Sequence, residues 1–342
     1  MSQLLHRDWN EQLKVGFIGL GNVGAKLAGS VLRNGFDLTV RDLDSSKTSE
    51  FIRAGASHAQ SPQEVARSCD VVITCLPSPT ICASVMEDDD GVLAGLSEGK
   101  IWVEMSTTDQ QEVLRLAQKV QDLGGSAADC PVSGGCHRAA TGNIAILSGC
   151  EREVFDRILP LLQAMGKQVL HTGDIGSASI LKVVTNYLAT ANLASICEAL
   201  VTTKASGLDL APAYEAIRIS SGNSFVHETE SQVILNGSRD INFTMDLVLK
   251  DISLFQEIAE RHHVPLEISP LLIEIFQDAE SRYGSREWSP NVIRRLEDAT
   301  GLDVHAPGFP AEIVDDEPEA PGAEVVTTRN YFQVLLSNRS SL

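Results

Sequence analysis

The stretch Lys14-Val-Gly-Phe-Ile-Gly19-Leu-Gly21-Asn-Val-Gly24 decides the fold. Its first five residues are typical of a short buried strand, and a helix-like run from Ala25 to Arg33 follows the glycines. Three glycines at this spacing, between a strand and a helix, form a dinucleotide-binding fingerprint. They allow a tight turn, a close approach of the backbone to a pyrophosphate, and close packing of helix on strand. We therefore expect the cofactor phosphates at the N-terminus of this helix, held by Gly19, Leu20, Gly21, Asn22, Val23 and Gly24.

The next predicted strand, Phe36 to Val40, ends in Arg41-Asp42. An acidic residue about 20 positions beyond the glycines usually accepts a hydrogen bond from the ribose 2′-hydroxyl. Asp42 therefore favours NAD over NADP, because its carboxylate repels a 2′-phosphate. Arg41 would favour NADP only if it turned toward the cofactor, and the alternation of side chains along a strand predicts that it does not.

Two more apolar runs predict further strands of the same sheet. One is Asp70-Val-Val-Ile-Thr-Cys-Leu-Pro77, and the other is Lys100-Ile-Trp-Val-Glu-Met-Ser-Thr107. Strands that alternate with helices indicate an α/β Rossmann domain with a doubly wound parallel sheet, which we place at residues 14–177. Ligands of such sheets lie beyond the carboxyl ends of the strands, where Leu76, Pro77 and Thr107 fall. These three residues alone are equally well explained as turn residues.

A second glycine motif, Asp129-Cys-Pro-Val-Ser133-Gly134-Gly135, follows another strand-like segment. Exposed backbone amides and one hydroxyl suit a carboxylate, although in isolation a glycine turn without function is the simpler explanation. Cys136-His137-Arg138 comes next. Arg138 is a candidate for binding a second anionic group of a substrate; a solvent-facing arginine is the alternative.

The third motif is Gly173-Asp-Ile-Gly176-Ser-Ala178, which leads into a run from Ile180 to Val201 that is apolar nearly all round. This pattern predicts a helix buried on most sides. Lys182 and Asn186 lie four residues apart and therefore share a face of that helix. A buried lysine requires an explanation, either catalysis or a carboxylate partner or a route to solvent.

The three motifs, in this order, resemble the β-hydroxyacid dehydrogenase family, of the 3-hydroxyisobutyrate dehydrogenase and tartronate semialdehyde reductase type. The resemblance covers about residues 14 to 300. It implies an NAD-dependent oxidoreductase that transfers a hydride between the cofactor and a small 3-hydroxy acid or its semialdehyde, and a homodimer or homotetramer. It further implies that Lys182 is the general acid/base, that Ser133, Gly134, Gly135 and Asn186 bind the substrate, and that Leu76, Pro77, Thr107 and Lys250 contact the cofactor.

Two alternatives stay open beside this hypothesis. One is an NADPH-dependent semialdehyde reductase of the same family, and the other is a catalytically silent dinucleotide-binding scaffold protein, since a fold alone does not confer activity. The presence of Lys182 and Asn186 speaks against the scaffold. For catalysis near neutral pH, the site must lower the pKa of Lys182 from its ordinary value of about 10.4.

Composition restricts the partners. The net charge of −19 over 342 residues argues against nucleic acid and anionic membranes. Seven cysteines without a C-x-x-C pair indicate reduced thiols, and the histidines show no metal-binding spacing, so we expect no metal. The segment Met1 to Leu13 lacks the apolar region of a signal peptide, which predicts a cytoplasmic protein.

Domain organisation follows from a change of pattern after residue 177. Helical periodicity then dominates, which predicts an all-helical substrate and oligomerisation domain at residues 178–300, joined by the long helix, with the active site between the domains. Residues 1–13 form an N-terminal extension. Residues 301–342 read as an acidic, proline-rich C-terminal tail. Its part from Val325 to Leu336 regains apolar residues and either docks on a neighbouring subunit or is disordered.

Overall fold

The structure of the chain is a computed structural model that describes residues 13–326. The predicted N-terminal extension lies outside the described residues except for Leu13. The predicted docking segment lies outside them except for Val325 and Val326.

The N-terminal domain is built on ten strands, all but one of them from residues 14–173. They are β1 (Lys14–Ile18), β2 (Asp37–Arg41), β3 (Ser57–His58), β4 (Val71–Thr74), β5 (Ile101–Glu104), β6 (Ser126–Asp129), β7 (Val132–Ser133), β8 (Ile144–Gly149), β9 (Gly166–Gly173) and β10 (Ala323–Glu324). The sheet order is β10-β9-β8-β6-β5-β4-β1-β2-β3, with β7 paired to β8. Strand β8 runs antiparallel to β6 and β7, and the other pairs are parallel. The predicted Rossmann domain is confirmed, and its sheet, predicted as parallel, is parallel except at β8.

Eight helices belong to this domain within the described residues. They are α1 (Gly24–Arg33), α2 (Ser45–Arg53), α3 (Pro62–Ser68), α4 (Pro79–Glu87), α5 (Val92–Gly95), α6 (Gln110–Asp122), α7 (Gly135–Ala140) and α8 (Arg152–Met165). Alternate residues of the central strands enter two hydrophobic clusters: Ile101 and Val103 belong to one, and Trp102 between them belongs to the other. Because neighbouring strand residues point to opposite faces, this division shows a sheet covered on both sides.

The second domain is helical, as predicted. Its helices are α9 (Ser177–Ala205), α10 (Leu210–Arg218), α11 (Phe225–Asn236), α12 (Met245–Arg261), α13 (Ile268–Tyr283), a 3₁₀ helix (Ser289–Ile293) and α14 (Arg294–Thr300). By length and composition alone, α9 would be able to cross a membrane. In this fold it is instead the central helix, which contacts α10, α11, α12 and α13 of its own domain and β8 of the other.

The segment after α14 returns to the first domain. Val304 and Ala306 are buried in the core of the helical domain. Farther along, β10 pairs in parallel with β9, with Ala323 opposite Gln168. The described part of the predicted tail therefore lies against both domains.

Candidate active site

A cleft of about 1280 Å³ lies between the two domains. It brings together the three motifs, which lie at residues 14–24, 129–135 and 173–186 of the chain. Every predicted site residue except Leu20 lines it: Gly19, Gly21, Asn22, Val23, Gly24, Asp42, Leu76, Pro77, Thr107, Ser133, Gly134, Gly135, Arg138, Lys182, Asn186 and Lys250. The side chain of Leu20 is buried in the core instead.

The glycine turn between β1 and α1 forms the first wall. A Cβ atom at Gly24 would lie 2.1 Å from the carbonyl oxygen of Gly19, so any side chain there would disrupt the turn. At Gly21, by contrast, an added Cβ would meet no atom within 4 Å, because this residue faces the open cleft. A bare backbone followed by the N-terminus of α1 fits the pyrophosphate of a dinucleotide.

Asp42 lies directly after β2. Its Oδ2 accepts a hydrogen bond of 2.6 Å from the backbone amide of Leu20, and its Oδ1 accepts one from the amide of Asp44 at 2.9 Å. The carboxylate is thereby fixed beside the glycine turn, where a ribose hydroxyl would have to donate to it.

The position of Arg41 differs from the prediction. Strand alternation predicted that it faces away from the cofactor, but it lines the cleft with Asp42 and Lys47, and its guanidinium donates to the carbonyl oxygen of Asp42. Strand β2 ends at Arg41, so the regular alternation no longer constrains its long side chain. Two basic residues therefore stand near the carboxylate that favours NAD.

The ends of β4 and β5 are tied together by Glu104, which sequence analysis did not identify. Its buried carboxylate accepts hydrogen bonds of 2.6 Å from the Thr74 hydroxyl and from the Ser106 amide. The Ser106 hydroxyl in turn accepts from the amide of Leu76 at 2.7 Å. Burial raises the pKa of Glu104. This network fixes the loop that carries the predicted cofactor contacts Leu76 and Pro77.

The substrate motif lines the same cleft. Ser133 ends β7, and Gly134 has a φ of 128°, which favours glycine. At the start of the motif, Asp129 accepts hydrogen bonds from the amides of Gly176 at 2.8 Å and Ser179 at 2.7 Å. These are amides at the N-terminus of α9, so one carboxylate joins the substrate loop to the helix that bears Lys182.

Lys182 and Asn186 form the centre of the site. The ammonium Nζ of Lys182 donates to Asn186 Oδ1 at 2.7 Å, and Asn186 Nδ2 donates to Asp251 Oδ2 at 2.5 Å. Lys182 is only 7% exposed. Burial lowers its pKa to about 8; the charge of Lys250 acts in the same direction, and the charge of Asp251 opposes it. A lysine in this state exchanges a proton near physiological pH.

Lys250, on α12, connects this centre to the cofactor side of the cleft. Its Nζ donates to the carbonyl oxygen of Thr107 at 2.5 Å and lies 2.9 Å from Asp251 Oδ1. Asp251, buried and shared by Asn186 and Lys250, is a site residue that sequence analysis noticed only as half of a charged pair. The only local signal was an acid in a helix whose neighbours are apolar.

Arg138 lies on α7, just after the substrate loop. It lines the cleft, and its guanidinium carbon lies 4.8 Å from the ring centroid of Phe225, a cation–π contact with the helical domain. No carboxylate among residues 13–326 forms an ion pair with it. The positive charge of Arg138 is one of the causes that lower the pKa of Asp315, so this carboxylate is near it without forming an ion pair.

Glu230 is a second polar group that the sequence did not reveal. It lines the cleft from α11, and its Oε2 is buried without a hydrogen-bond partner among the described residues. Burial raises its pKa to about 8. The described residues contain no group of three or more histidine, cysteine or acidic side chains arranged to bind a metal ion.

Comparison with protein-family models gives two matches that together span most of the chain. The model described as the NAD binding domain of 6-phosphogluconate dehydrogenase matches residues 14–173. The model described as the NAD-binding domain of NADP-dependent 3-hydroxyisobutyrate dehydrogenase matches residues 176–296. The chain therefore carries NAD-binding domains, and the matches leave NADP possible.

Characterised relatives match over nearly their whole length. The chain is 34% identical to 2-(hydroxymethyl)glutarate dehydrogenase from Eubacterium barkeri, over 86% of this chain and 98% of the relative. It is 32% identical to NAD-dependent L-serine dehydrogenase from Pseudomonas aeruginosa, over 84% of this chain and 98% of the relative. A solved structure, 3-hydroxyisobutyrate dehydrogenase from Salmonella typhimurium, superimposes with a TM-score of 0.77 at 26% identity, covering 83% of this chain and all of that one. These matches do not favour a silent scaffold.

Proposed function

Because the chain belongs to the 3-hydroxyisobutyrate dehydrogenase type of hydroxyacid dehydrogenases, which are NAD(P)-dependent oxidoreductases, we propose that it acts on a small 3-hydroxy acid carrying a second anionic group, with Lys182 as general acid/base. The observation that carries this proposal is the hydrogen bond between Lys182 and Asn186, buried in a cleft that also contains the glycine turn and the Ser133-Gly134-Gly135 loop.

Bound NAD supplies the acceptor for the hydride of the alcohol. The chain must remove the hydroxyl proton, and Lys182 Nζ in its neutral form accepts it. Asn186 holds Nζ in place through its Oδ1, while Asp251 fixes the amide of Asn186 in the orientation that makes this possible. In the reverse direction, the ammonium of Lys182 returns the proton to the carbonyl oxygen of a semialdehyde.

The remaining polar groups orient the substrate. Backbone amides at Gly134 and Gly135, with the hydroxyl of Ser133, are available for the carboxylate next to the reacting carbon. Holding the acid group there aligns the alcohol with Lys182. The two reacting groups then no longer have to meet by diffusion, because the site holds them in a fixed geometry. The Rossmann domain contributes the loop and α9 contributes the lysine, so a productive geometry depends on how the two domains pack against each other.

A second anionic group is our proposal for the substrate because of Arg138. The residue directly follows the loop, its guanidinium lines the cleft, and it forms no ion pair with a carboxylate of residues 13–326. A guanidinium binds a carboxylate or a sulfonate through two parallel hydrogen bonds. The similar Eubacterium barkeri enzyme is named for a dicarboxylate, 2-(hydroxymethyl)glutarate, which supports the same substrate class here.

The proposal is tested with the purified protein and a panel of 3-hydroxy acids that differ in one terminal group, methyl or carboxylate, with NADH absorbance as the readout. We expect turnover that is lost by at least a hundredfold in Lys182→Ala, while NAD binding is retained. Arg138→Ala is expected to raise the KM of the dianionic acids at least tenfold and to leave monoanions within twofold. Equal effects on both classes would contradict the role of Arg138.

We also propose a homodimer or homotetramer in the cytoplasm. Ile268 and Leu271 on α13 are more than half exposed, which supports burial of this face against another subunit. The seven cysteines are free thiols, which supports a reducing compartment. Light scattering of the purified protein tests the assembly, and a monomer would contradict it.

A further inference from the structure

The segment after α14 crosses from one domain to the other. We call residues 304–325 the C-terminal strap. The family models end at residue 296, so the strap lies beyond the part of the chain that they match. Its first half is attached to the helical domain and its second half to the Rossmann domain. Its course therefore links the two walls of the active-site cleft.

The attachment to the helical domain is apolar and backbone-based. Val304 is fully buried, and the amide of Ala306 donates to the carbonyl oxygen of Leu235 at 3.0 Å. The Phe309 ring lies 5.0 Å from the ring of Tyr214 in an edge-on contact. Ser238 donates its hydroxyl to the carbonyl oxygen of Ala311 at 2.6 Å. Up to residue 311, the strap is thus packed on the helical domain.

The attachment to the Rossmann domain begins four residues later and is largely ionic. Asp315 accepts hydrogen bonds from the hydroxyl of Thr141 and from the side-chain amide of Asn143, the latter at 2.7 Å. Beyond it, ion pairs join Lys167 to Glu317, Arg33 to Glu319 and Arg152 to Glu324. The three ion pairs are partly exposed, so each contributes little by itself. The contact of Asp315 differs because Asn143 is buried.

Asp315 acts on the turn behind the substrate loop. Thr141 and Asn143 follow α7, the short helix that starts at Gly135 in the loop and carries Arg138. The backbone amide of Asn143 donates to the carbonyl oxygen of Arg138 at 2.8 Å, which closes the end of α7. Burial opposes ionisation of Asp315, but the hydrogen bonds from Thr141 and Asn143 outweigh it and lower its pKa. An ionised carboxylate is the stronger acceptor.

We propose that Asp315 is a positioning residue: through the strap, it holds α7 and the substrate loop at the cleft and couples their position to the helical domain that bears Lys182. The proposal rests on the proposed function only for the identity of the substrate. Lys182, Asn186 and Asp251 do not touch the strap, so its loss leaves the proton-transfer centre intact. Loss of the strap instead weakens binding of the hydroxy acid.

The test is made in the full chain and compares Asp315→Ala with Asp316→Ala, the adjacent acid, for which no contact is observed within residues 13–326. For Asp315→Ala we expect the KM of a dianionic 3-hydroxy acid to rise at least fivefold with kcat within twofold, and amide hydrogen exchange at residues 135–143 to become faster. Asp316→Ala should match the unmodified chain in KM, in kcat and in hydrogen exchange. A triple variant, Glu317→Gln, Glu319→Gln and Glu324→Gln, should change KM and exchange in the same direction.

The exchange measurement separates the two proposals. Unchanged exchange at residues 135–143 in both Asp315→Ala and the triple variant overturns the positioning role, whatever the activity. A fall in kcat with unchanged KM also overturns it, since that pattern belongs to the proton-transfer centre. Should the unmodified chain turn over no hydroxy acid at all, the proposed function fails, and faster exchange in Asp315→Ala still supports the positioning role.

Discussion

Lys182 Nζ donates to Asn186 Oδ1 at 2.7 Å, one helical turn farther along α9. This hydrogen bond uses one of the three protons of the ammonium. Asn186 is itself held by a hydrogen bond to Asp251 on another helix, so the bond fixes the direction in which the lysine side chain points. The proton donor Lys182 is thus positioned by Asn186 on its own helix and, through Asn186, by Asp251 on α12. The behaviour of this chain under titration and mutation supplies the most direct tests of the site.

The first prediction concerns the pH dependence of turnover. Burial lowers the pKa of Lys182 to about 8, and oxidation of an alcohol requires the neutral amine. The kcat for oxidation should therefore rise about tenfold per pH unit below pH 8 and level off above it, while reduction of the semialdehyde should decline above pH 8. Initial rates between pH 6 and 9.5 in both directions measure this. A profile without a transition in this range would contradict the assignment of Lys182.

The second prediction uses the charge of Asp251. This carboxylate raises the pKa of Lys182, in opposition to burial. Asp251→Asn keeps an acceptor for Asn186 but removes the charge, so the transition in the pH profile should move to lower pH. The measurement is the same series of initial rates. An unchanged transition accompanied by lower activity would indicate that Asp251 acts only through packing.

The third prediction is a shift of the same transition in the opposite direction, and it serves as the matched control for Asp251→Asn. Lys250 lowers the pKa of Lys182 by its positive charge. Lys250→Met removes that charge and retains the aliphatic stem, so the transition should move to higher pH. The variant also loses the bond to the Thr107 carbonyl oxygen, and the KM of the cofactor is expected to rise. Shifts of equal sign in Asp251→Asn and Lys250→Met would rule out an electrostatic cause.

Local patterns were sufficient to predict the parts of the site that depend on neighbouring residues. The glycine turn, the apolar strands and the four-residue spacing of Lys182 and Asn186 are all readable within short windows of sequence. The partner of Asn186 was not readable in this way. Asp251 lies 65 residues away, and only the packing of α12 on α9 brings it to the amide.

Two other features depended on information that no short window contains. Arg41 turns into the cleft because β2 ends at that residue, and strand ends are the least certain part of any sequence-based assignment. The path of residues 304–325 depends on basic side chains at positions 33, 152 and 167, which become neighbours only after the sheet has formed. An acidic, proline-rich composition describes a segment of this kind equally well whether it is attached or free.

The fourth prediction concerns cofactor choice. Asp42 is fixed beside the glycine turn, with Arg41 and Lys47 close to it. Asp42→Ser removes the repulsion of a 2′-phosphate and leaves both cations, so the ratio of kcat/KM for NAD to that for NADP should fall at least tenfold. Asp37→Ser, at the other end of β2, is the control and should leave the ratio unchanged. An unaltered ratio in Asp42→Ser would mean that the carboxylate does not select the cofactor.

The last prediction concerns stability and Glu230. Its carboxyl has a pKa of about 8 in the folded chain, against an ordinary value of 4.5, because burial disfavours the charged form. Between these two pH values the folded chain binds more protons than the unfolded chain, so this residue makes the free energy of unfolding fall as the pH rises from 4.5 to 8. Glu230→Gln removes the titration while keeping the shape of the side chain. The variant should therefore be more stable than the unmodified chain at pH 8, by an amount on the order of a few kcal/mol.

The difference in the free energy of unfolding between Glu230→Gln and the unmodified chain should vanish toward pH 5. At that pH Glu230 is protonated in the folded chain and adds no charge to its surroundings. Urea denaturation at pH 5, 6.5 and 8 measures the difference directly, and other titrating groups cancel because they are common to both proteins. Glu228→Gln, on the same helix but exposed, is the control for the loss of one carboxylate from that helix. Parallel stability curves for Glu230→Gln and the unmodified chain would show that the carboxyl of Glu230 titrates normally, through water or a partner subunit that reaches it in solution.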